Sequence, residues 1–429
     1  MSFNIADTPQ KRVVIVGGGF GGLKLAEHLK KSDFQVVLID KNNFHQFPPL
    51  LYQVASSGLA SSSISFPFRK IFQKRKNFYF RLADVKAVIW EQKTIRTSIG
   101  DLHYDYLVLA SGTTTNFFGN KVIEANALPM KSVEEALELR NTLLLNFEKA
   151  TITADLEEKK ALLNIVIVGG GATGVEISGA LSEMKRYILP KDYPDLVSAE
   201  MNIYLVEGEA HLLAAMSEEA SENAEKFLTN MGVKIILNKK VVDYQDGQVM
   251  LDDGSRINAR TLVWVSGVTA TRFEHIDQSL LNRGGRINVN EFNQVPGLPD
   301  VYAIGDVCFM TEKDYPHGHP QVAQVAIQQG HLLAHNLERL EKGETLKPFH
   351  YKNLGTLATV GRNKAVADLK KVKLHGFVAW VVWMTVHLRS ILGVKNKLIV
   401  LINWVWSYFT YDQSIRLILY IPRKLKISK

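Results

Sequence analysis

Cysteine is almost absent from this chain, because among 429 residues only Cys308 carries a thiol. One cysteine excludes an intramolecular disulfide, a redox-active cysteine pair and any cysteine-based iron–sulfur or zinc site within one chain. The N-terminal residues MSFNIADTPQKR are polar, so the apolar core of a signal peptide is missing as well. We therefore expect the body of the protein to stay in the cytoplasm.

Acidic residues are scarce near the C-terminus. Residues 370–429 hold eleven Lys and Arg but a single acid, Asp412, which gives this segment a net charge of +10. Because the whole chain carries +8, the residues before this segment carry about −2. A basic tail binds either nucleic acid or an anionic membrane, and its neighbouring residues must decide between them. The composition, 46% hydrophobic and 22% charged, predicts a folded multidomain protein.

Glycine is concentrated in two similar motifs. In the first, the run RVVIV is followed by GGGFGG and then by the helix-like LKLAEHLKK. Gly17, Gly19 and Gly22 match the pattern G-x-G-x-x-G, and Asp40 ends the next apolar run. The first glycine permits a tight turn, the second lets the backbone approach a pyrophosphate, and the third lets helix and strand pack closely. With Asp40 as an acceptor for the ribose hydroxyls, this unit predicts a bound dinucleotide.

The pattern recurs in NIVIVGGGATGVEISGAL, where the glycines are Gly169, Gly171 and Gly174. The following strand ends in Glu207 after a longer insertion than usual. Two fingerprints predict two bound dinucleotides. Glu207 should accept the adenosine ribose hydroxyls and repel a 2′-phosphate, and the next two residues supply no arginine, so this site should prefer NADH to NADPH.

Two further segments, DYLVLASG and VYAIGDVC, each join an apolar strand to a glycine, as expected where strands of an open sheet end beside a ligand. Gly112 ends the first segment. In the second, Asp306 could either hydrogen-bond a sugar-alcohol chain or cap its own turn.

The segment HPQVAQVAIQQG predicts a helix that starts near Pro320. Two sets of residues would lie on opposite sides of this helix, Gln321, Gln324 and Gln328 on one and Ala323, Ala326 and Gly330 on the other. The pattern alone fits a solvated glutamine stripe over a small-residue packing seam, and it also fits a binding face.

The ordered set GGGFGG, LVLASG, GGGATG and AIGD resembles the two-dinucleotide-binding flavoprotein reductases over residues 11–330. Three segments, AQVAIQ, HQFPPLLYQVASSGL and TVGRNKAVADL, are similar to the membrane-bound type II NADH dehydrogenases, which are NADH:quinone oxidoreductases without proton pumping. The resemblance implies an α/β fold with two Rossmann-like domains, noncovalent FAD held by the first and last motifs, and NADH as substrate at the middle one. Because the cysteine pair that many relatives keep near the flavin is missing, electrons must leave the flavin directly.

The resemblance also implies site residues. In that family the AQ-x-A-x-Q helix lies against the flavin ring and lines the quinone pocket, which implies flavin contacts from Ala323 and Gln324 and a quinone site at Gln324, Gln328 and Pro49. It further implies a proton path through Glu176 and Lys364. From the residues alone, Glu176 could instead complement a helix dipole and Lys364 could be an exposed strand lysine.

The order of these motifs predicts a discontinuous FAD-binding domain at residues 1–118 and 276–345, with an NADH-binding domain at 119–275 inserted into it. Residues 346–429 form a C-terminal membrane-association region. Its apolar stretches, 377–392 and 397–411, hold four of the six tryptophans, yet neither reaches the roughly twenty residues of a spanning helix.

The tail pattern favours helices that lie in a membrane interface. Asn403, Ser407 and Thr410 form a thin polar stripe, and Pro422 should end the last helix. The cations expected to meet anionic headgroups, with tryptophans at the boundary, are Lys395, Lys397, Arg416, Arg423, Lys424 and Lys426. This apolar load argues against nucleic acid. The alternative is an ordinary helical hairpin that packs on the body or on the partner in a homodimer.

The sequence therefore predicts a peripheral membrane flavoenzyme of a respiratory chain, on the cytoplasmic face of the cell membrane, without a metal site. It would pass a hydride from NADH to FAD and then two electrons to a membrane quinone. The alternatives are a soluble-type NADH oxidase, a ferredoxin or rubredoxin reductase, and a redox-sensing membrane flavoprotein. The lipophilic tail argues against the first two.

Overall fold

The computed structural model describes residues 3–196, 200–274, 276–412 and 415–420. The chain forms two compact units. The first comprises Met1–His45, Phe66–Thr114 and Val268–Asn353, and the second comprises Gln46–Ser65, Thr115–Gly267 and Leu354–Lys429. The segment Gln46–Ser65 thus belongs to the second unit, whereas the sequence analysis included it in the segment 1–118.

The helices of the described residues are numbered along the chain. They are α1 (Phe20–His28), α2 (Leu51–Ala55), α3 (Phe68–Ile71), α4 (Lys121–Asn126), α5 (Val133–Ile152), α6 (Leu156–Leu163), α7 (Ala172–Tyr187), α8 (Leu189–Asp192), α9 (Glu218–Asn230), α10 (Ala323–Glu341), α11 (Gly376–Ser390) and α12 (Val394–Thr410).

The first unit is built on a six-stranded sheet. Its strand order is Gln294–Val295, Leu298–Ala303, Tyr106–Leu109, Arg12–Val16, Gln35–Asp40 and Phe78–Leu82. All neighbours except the first pair are parallel. Fully buried Val, Ile and Leu side chains fill these strands, as expected for a sheet covered on both faces. The carboxyl ends of the parallel strands share one edge, which is where such sheets bind ligands.

The second unit repeats this plan with a five-stranded parallel sheet. Its order is Leu128–Pro129, Thr261–Trp264, Ile165–Val168, Ile203–Val206 and Val233–Ile236. A C-terminal antiparallel sheet in the same unit has the order Thr356–Gly361, Lys364–Asp368 and Lys373–His375, and it leads directly into α11. The predicted α/β class with two Rossmann-like sheets is confirmed.

The smaller strands complete the two units. They are Phe44–Gln46, Ser65–Pro67, Val85–Ile89, Thr94–Thr97, Gly100–His103, Thr113–Thr115, Val241–Gln245, Gln248–Leu251, Arg256–Asn258, Val268–Ala270, Ile287–Asn288 and Cys308–Phe309.

The tail forms the two helices that its apolar stretches predict, α11 and α12. Among the described residues, no helix combines the length and the apolarity that crossing a bilayer requires. Pro422, Arg423, Lys424 and Lys426 lie outside the described residues. The prediction that Pro422 ends the last helix was wrong, because α12 ends at Thr410 and residues 415–420 are not helical.

Candidate active site

The first glycine motif forms a tight cradle at the start of α1. Gly17 has a φ of +102°, and a side chain there would meet the Ala110 carbonyl oxygen at 2.3 Å. A Cβ on Gly22 would lie 1.9 Å from the Gly17 carbonyl oxygen, so helix and strand touch at this point. Next to Gly19, by contrast, there is open space. The cradle therefore has room for a pyrophosphate at the N-terminus of α1.

The acid of the first motif is placed at the rim of this cradle. Asp40 Oδ2 accepts the backbone N–H of Gly18 at 2.6 Å, and Oδ1 accepts the backbone N–H of Asn42 at 2.7 Å. Burial raises the pKa of Asp40, and these two hydrogen bonds oppose the rise. Because each carboxylate oxygen has a further lone pair, Asp40 can still accept ribose hydroxyls.

The two glycine-ended strands of the first unit supply positive-φ turns at the same sheet edge. Gly112 has a φ of +68° with open space beside it, and Gly305 has a φ of +71°. The neighbouring Asp306 is partly exposed, and its Oδ2 accepts the Thr113 hydroxyl at 3.4 Å. Asp306 is therefore accessible to a ligand as well as bonded within the protein.

Gln329 holds the Gly305 turn, a role that the sequence analysis missed. Its side chain is fully buried, and its Oε1 accepts the backbone N–H of Gly305 at 2.7 Å and the Cys308 thiol at 3.4 Å. One feature of the sequence could have revealed this role. In the pair Gln328–Gln329, the second amide lies on the side of the helix that carries Ala326 and Gly330, away from the other glutamines.

The second cradle has the same construction. Gly169 has a φ of +112°, a Cβ on Gly174 would lie 1.8 Å from the Gly169 carbonyl oxygen, and the space beside Gly171 is open. Glu207 Oε2 accepts the backbone N–H of Gly170, and its Oε1 accepts that of Glu209 at 2.9 Å. Both fingerprints thus fit a dinucleotide.

A cation that the sequence did not reveal lies near the second acid. A Cβ on Gly208 would lie 3.3 Å from Lys240 Cγ, so the Lys240 side chain packs against Gly208, the residue next to Glu207. The two residues are thirty-two positions apart, and only the adjoining strand ends bring them together. The absence of a nearby arginine in the sequence therefore did not mean the absence of a positive charge.

The glutamine helix α10 begins three residues later than predicted. Its first residue is Ala323, because Val322 has extended backbone and donates its N–H to the Pro320 carbonyl in a turn. Gln321 therefore lies before the helix, where its side chain donates to the Asp306 carbonyl at 3.0 Å. The prediction of a helix start near Pro320 was wrong because the His-Pro turn extends over residues that fit the helical pattern.

The small residues of α10 form the packing seam that one interpretation predicted. A Cβ on Gly330 would lie 2.4 Å from the Gly21 carbonyl oxygen of α1, and Ala326 packs against Gly305. On the opposite side of α10, the Gln328 side-chain amide donates to the Lys352 carbonyl at 2.9 Å, and its oxygen accepts the Lys352 backbone N–H at 3.0 Å. Gln328 thus fastens α10 to the segment that follows it.

Gln324 lies one turn before Gln328 on α10. It is partly exposed and accepts the Tyr351 hydroxyl at 3.4 Å. Ala323, the first residue of the helix, is also partly exposed. These two positions are therefore accessible to a ligand at the N-terminal end of α10, where the helix dipole is positive.

The second unit contains a cavity of about 120 Å³. Its walls come from α2 and the loop that follows it, α7, the strand Thr356–Gly361, α11 and α12. Trp380, Trp383, Trp404 and Tyr408 give it aromatic walls, with polar groups between them. Mostly apolar walls with a few converging polar groups are typical of small-molecule sites.

Glu176 lies in this cavity wall, on the second turn of α7, and is only 9% exposed. Burial raises its pKa to about 8, although the backbone N–H of Thr359 and the indole N–H of Trp383 lie close enough to oppose the rise. A carboxyl group with this pKa holds a proton at neutral pH and can donate it.

A hydrogen-bonded pair of side chains covers the same cavity from α2. The Gln53 amide donates to the Tyr52 hydroxyl at 2.7 Å and accepts the Trp404 indole N–H at 2.8 Å. Tyr52 is buried, and its pKa is raised mainly by this burial and secondly by the negative charge of the nearby Glu176. The tyrosine therefore stays a neutral hydroxyl that can hydrogen-bond a ligand.

Two other predicted residues of the second unit lie outside this cavity lining. Pro49 lies in the short 3₁₀ turn Pro48–Leu50, and Lys364 begins the strand Lys364–Asp368. Burial raises the pKa of the partly exposed Glu183 of α7, and the backbone N–H of Arg362 and then the Lys364 charge oppose this rise. The structure thus brings Glu176, but neither Lys364 nor Pro49, to the cavity.

The tail differs from its predicted orientation. Asn403 and Ser407, expected on a polar stripe toward water, line the cavity together with Trp380, Trp383 and Trp404. Of the four tail tryptophans only Trp406 is strongly exposed, at 61%. The predicted boundary position was wrong for Trp383, which is only 1% exposed, whereas it stays a prediction for the partly exposed Trp380 and Trp404.

Arg416 also departs from its predicted role as a headgroup contact. Its guanidinium pairs with Asp192 and, at 3.2 Å, with Asp412. Lys395 is exposed as predicted, whereas the Lys397 ammonium donates to the Arg389 carbonyl at 2.7 Å.

Comparison with known proteins agrees with this architecture. The pyridine nucleotide-disulphide oxidoreductase family model matches residues 11–330, and the NDH2 C-terminal domain model matches residues 353–410. Two type II NADH:quinone oxidoreductases of Mycobacterium tuberculosis, NdhA and Ndh, are 34% and 33% identical to this chain. The alignments cover 92% and 94% of this chain and 87% and 90% of theirs. This chain belongs to the type II NADH:quinone oxidoreductase family.

A solved structure shows the family fold as well. NDH2 from Plasmodium falciparum, in complex with NADH, superimposes with a TM-score of 0.88 at 21% identity, over 96% of this chain and all of that chain. The name of the wider reductase family refers to a disulphide, but Cys308 is the one cysteine here. It is fully buried, and burial raises the pKa of its thiol to about 11. This member of the family therefore has no thiol chemistry at its flavin.

Proposed function

We propose that this chain oxidises NADH bound at the second cradle, with FAD held at the first, and delivers the electrons to a quinone in the cavity of the second unit. FAD is the cofactor and NADH the substrate of this NADH:quinone oxidoreductase. The observation that carries the quinone assignment is the aromatic cavity with the buried Glu176 in its wall, where burial raises the pKa of this carboxyl group to about 8. A quinone is a flat apolar ring whose oxygens take up protons on reduction, so aromatic walls and a carboxylic acid suit it.

The residue assignments follow the two cradles. Gly17, Gly19, Gly22 and Asp40 would hold the adenosine and pyrophosphate of FAD, with Gly112, Asp306, Ala323 and Gln324 nearer the ribityl chain and ring. Gly169, Gly171, Gly174 and Glu207 would hold NADH. The flavin supplies the redox chemistry when bound, and the protein supplies binding, orientation and electrostatics. The first unit is accordingly the FAD-binding domain, and the second contains the NADH-binding domain.

The quinone site we propose is centred on Glu176 and Tyr52 rather than on Gln328. Gln328 is hydrogen-bonded through both amide atoms to Lys352, which leaves it a supporting role for α10. Gln324, at the N-terminal end of the helix, stays the α10 candidate for a flavin or quinone carbonyl. Lys364 would act on the acids of α7 by its charge, and Pro49 would shape the loop before α2.

We also propose that α11 and α12 hold the protein on the cytoplasmic face of the cell membrane. Their outer side exposes large apolar residues, among them Phe377, Val378, Ile402, Trp406 and Phe409, all more than half exposed. Apolar faces of this size on adjacent helices mark an interaction surface, and Lys395 beside them suits anionic lipid. A quinone dissolved in that membrane would meet α11 and α12, the same helices that wall the cavity.

Two half-reactions test this function. Stopped-flow mixing with NADH should bleach the flavin, and a second mixing with a short-chain quinone should restore its absorbance. Glu176→Gln and Trp383→Ala should slow the second step and spare the first. Fast reoxidation by oxygen with no response to quinone would instead identify an NADH oxidase.

A further inference from the structure

A second acid of α7 lines the same cavity as Glu176. Glu183 follows it by seven residues, so helical geometry puts the two side chains on one face, with their Cα atoms about 10 Å apart along the axis. Ala180 lies between them on that face and also lines the cavity. Its methyl group leaves the wall between the two acids open.

The cavity is large enough to contain water between these acids. A volume of about 120 Å³ accommodates several water molecules. The hydroxyls of Tyr52 and Ser407 and the amide of Asn403 are in the lining and can hydrogen-bond such waters. The gap between Glu176 and Glu183 is too long for a direct proton transfer, but it can be bridged by a short row of water.

Glu183 is more open to solvent than Glu176. It is partly exposed, and it accepts the backbone N–H of Arg362 from the turn of the C-terminal hairpin. The charged or titratable groups that face it from all neighbouring elements are Tyr52, Tyr187, Arg362, Lys364 and Tyr411. Burial raises the pKa of Glu183 in spite of the two cations.

The outer end of this arrangement is built from aromatic and cationic side chains. The Arg362 guanidinium lies 3.7 Å from the ring centre of Tyr411 and 4.3 Å from that of Tyr408, and it donates to the Ser407 carbonyl at 3.0 Å. Tyr187 stacks on Tyr411 with ring centres 3.9 Å apart. These contacts fix the hairpin turn, and with it the N–H that orients Glu183.

Resting on the proposed quinone site, we propose that Glu183 admits protons to a relay that runs along the Glu183–Ala180–Glu176 face of α7. Each turnover converts NADH, one proton and quinone into NAD⁺ and hydroquinone, so one proton must come from solution. Glu176 gives its proton to a quinone oxygen and becomes a carboxylate. Cavity water passes the Glu183 proton to Glu176, and solvent then reprotonates Glu183. Glu183 thus acts through Glu176 and does not touch the quinone.

Glu183→Gln tests the relay, because the amide oxygen still accepts the Arg362 N–H but the side chain has no transferable proton. We expect flavin reduction by NADH to stay at the wild-type rate, and reoxidation by quinone to slow about tenfold at pH 8. The defect should shrink at pH 6, where protons from solution reach Glu176 more often. The solvent deuterium isotope effect on reoxidation should rise, and Glu183→Asp should restore part of the rate.

Ala180→Leu provides an independent variant. Its larger side chain should fill the space between Glu176 and Glu183, and it leaves both acids in place. It should lower kcat for quinone with an unchanged KM. Glu222→Gln on the exposed side of α9 is the matched control and should behave as wild type.

Wild-type reoxidation in both variants at pH 8 would overturn the relay. So would a Glu183→Gln defect that slows both half-reactions equally, and a raised quinone KM with normal kcat in Ala180→Leu. If the wild-type protein itself fails to reduce quinone, it is the proposed function that fails.

Discussion

The carboxylate of Glu207 accepts a hydrogen bond from the backbone N–H of Gly170, the residue between the first two glycines of the second fingerprint. This bond holds the acid over the cradle, with its negative charge facing any group on the adenosine ribose. Lys240 lies alongside at Gly208. Nucleotide preference should therefore depend on the balance between one acid and one cation.

Glu207→Gln should lower the ratio of kcat/KM for NADH to kcat/KM for NADPH by about tenfold to a hundredfold, because it removes the repulsion between the Glu207 carboxylate and the 2′-phosphate. Each factor of ten corresponds to about 1.4 kcal/mol. The change should come mainly from a higher kcat/KM for NADPH. Adding Lys240→Ala should abolish this increase, because the cation beside the 2′-phosphate is then missing. Steady-state kcat/KM for both nucleotides measures this. Glu209→Gln, an exposed neighbour, is the control. Equal wild-type efficiency with both nucleotides would contradict the assignment.

Two glycines of the first cradle should respond differently to substitution. Gly19→Val adds a side chain in open space at a φ of −65°, so the protein should fold and yet lose FAD because the pyrophosphate is blocked. Gly22→Ala sets a methyl group 1.9 Å from the Gly17 carbonyl and should unfold or strongly destabilise the first unit. Absorbance at the flavin band and thermal unfolding distinguish the two. Full flavin content in folded Gly19→Val would exclude this cradle as the FAD site.

Gln329→Leu should weaken FAD binding without touching FAD. It leaves the buried N–H of Gly305 without its acceptor. An unsatisfied buried donor destabilises a structure by about 1–3 kcal/mol, and here it would destabilise the turn next to Asp306. Gln329→Glu restores the acceptor and should recover part of the affinity. Titration of the apoprotein with FAD, followed by flavin fluorescence, gives the dissociation constants. An unchanged constant in Gln329→Leu would show that the turn is held by other contacts.

The raised pKa of Glu176 predicts a pH-dependent stability. The carboxyl is protonated in the folded state up to its pKa of about 8, but it ionises near its ordinary pKa of 4.5 when the chain is unfolded. The folded state therefore binds the extra proton between these values, and stability falls as pH rises through the window, by up to about 1.4 kcal/mol per unit. In Glu176→Gln this loss should be absent. Denaturant unfolding at pH 5, 6.5 and 8 measures the slopes, and parallel slopes for variant and wild type would contradict the prediction.

Membrane binding should depend on the exposed apolar side of α12. Ile402→Ser with Phe409→Ser removes two large side chains that are 63% and 78% exposed, so sedimentation with anionic vesicles should decrease while NADH oxidation with a water-soluble acceptor continues. Ile152→Ser, at an isoleucine of α5 that is 85% exposed, is the matched control. High salt alone should release only part of the wild-type protein, because apolar burial is not screened. Complete release by salt would point to a purely electrostatic contact.

The sequence by itself determined the two cradles. Gly17, Gly22, Gly169 and Gly174 occupy positions where a Cβ would collide with backbone. Such local constraints appear in the sequence as the same glycine spacing in both strand–turn–helix units. The positions of α11 and α12 were predictable to within about three residues from their apolar runs, although α12 ends at Thr410 and not at Pro422.

Only the tertiary structure decided how distant residues meet. Lys240 beside Gly208 and Gln329 under Gly305 depend on side chains brought together by the packing of separate elements. The cavity that Glu176 and Glu183 of α7 line depends on packing too, because other elements supply the rest of its walls. The helical period placed Asn403 and Ser407 on one face of α12 but could not distinguish a cavity from solvent as its surroundings. Spacing along one element is set by covalent geometry, whereas the surroundings of a face are set by what packs against it.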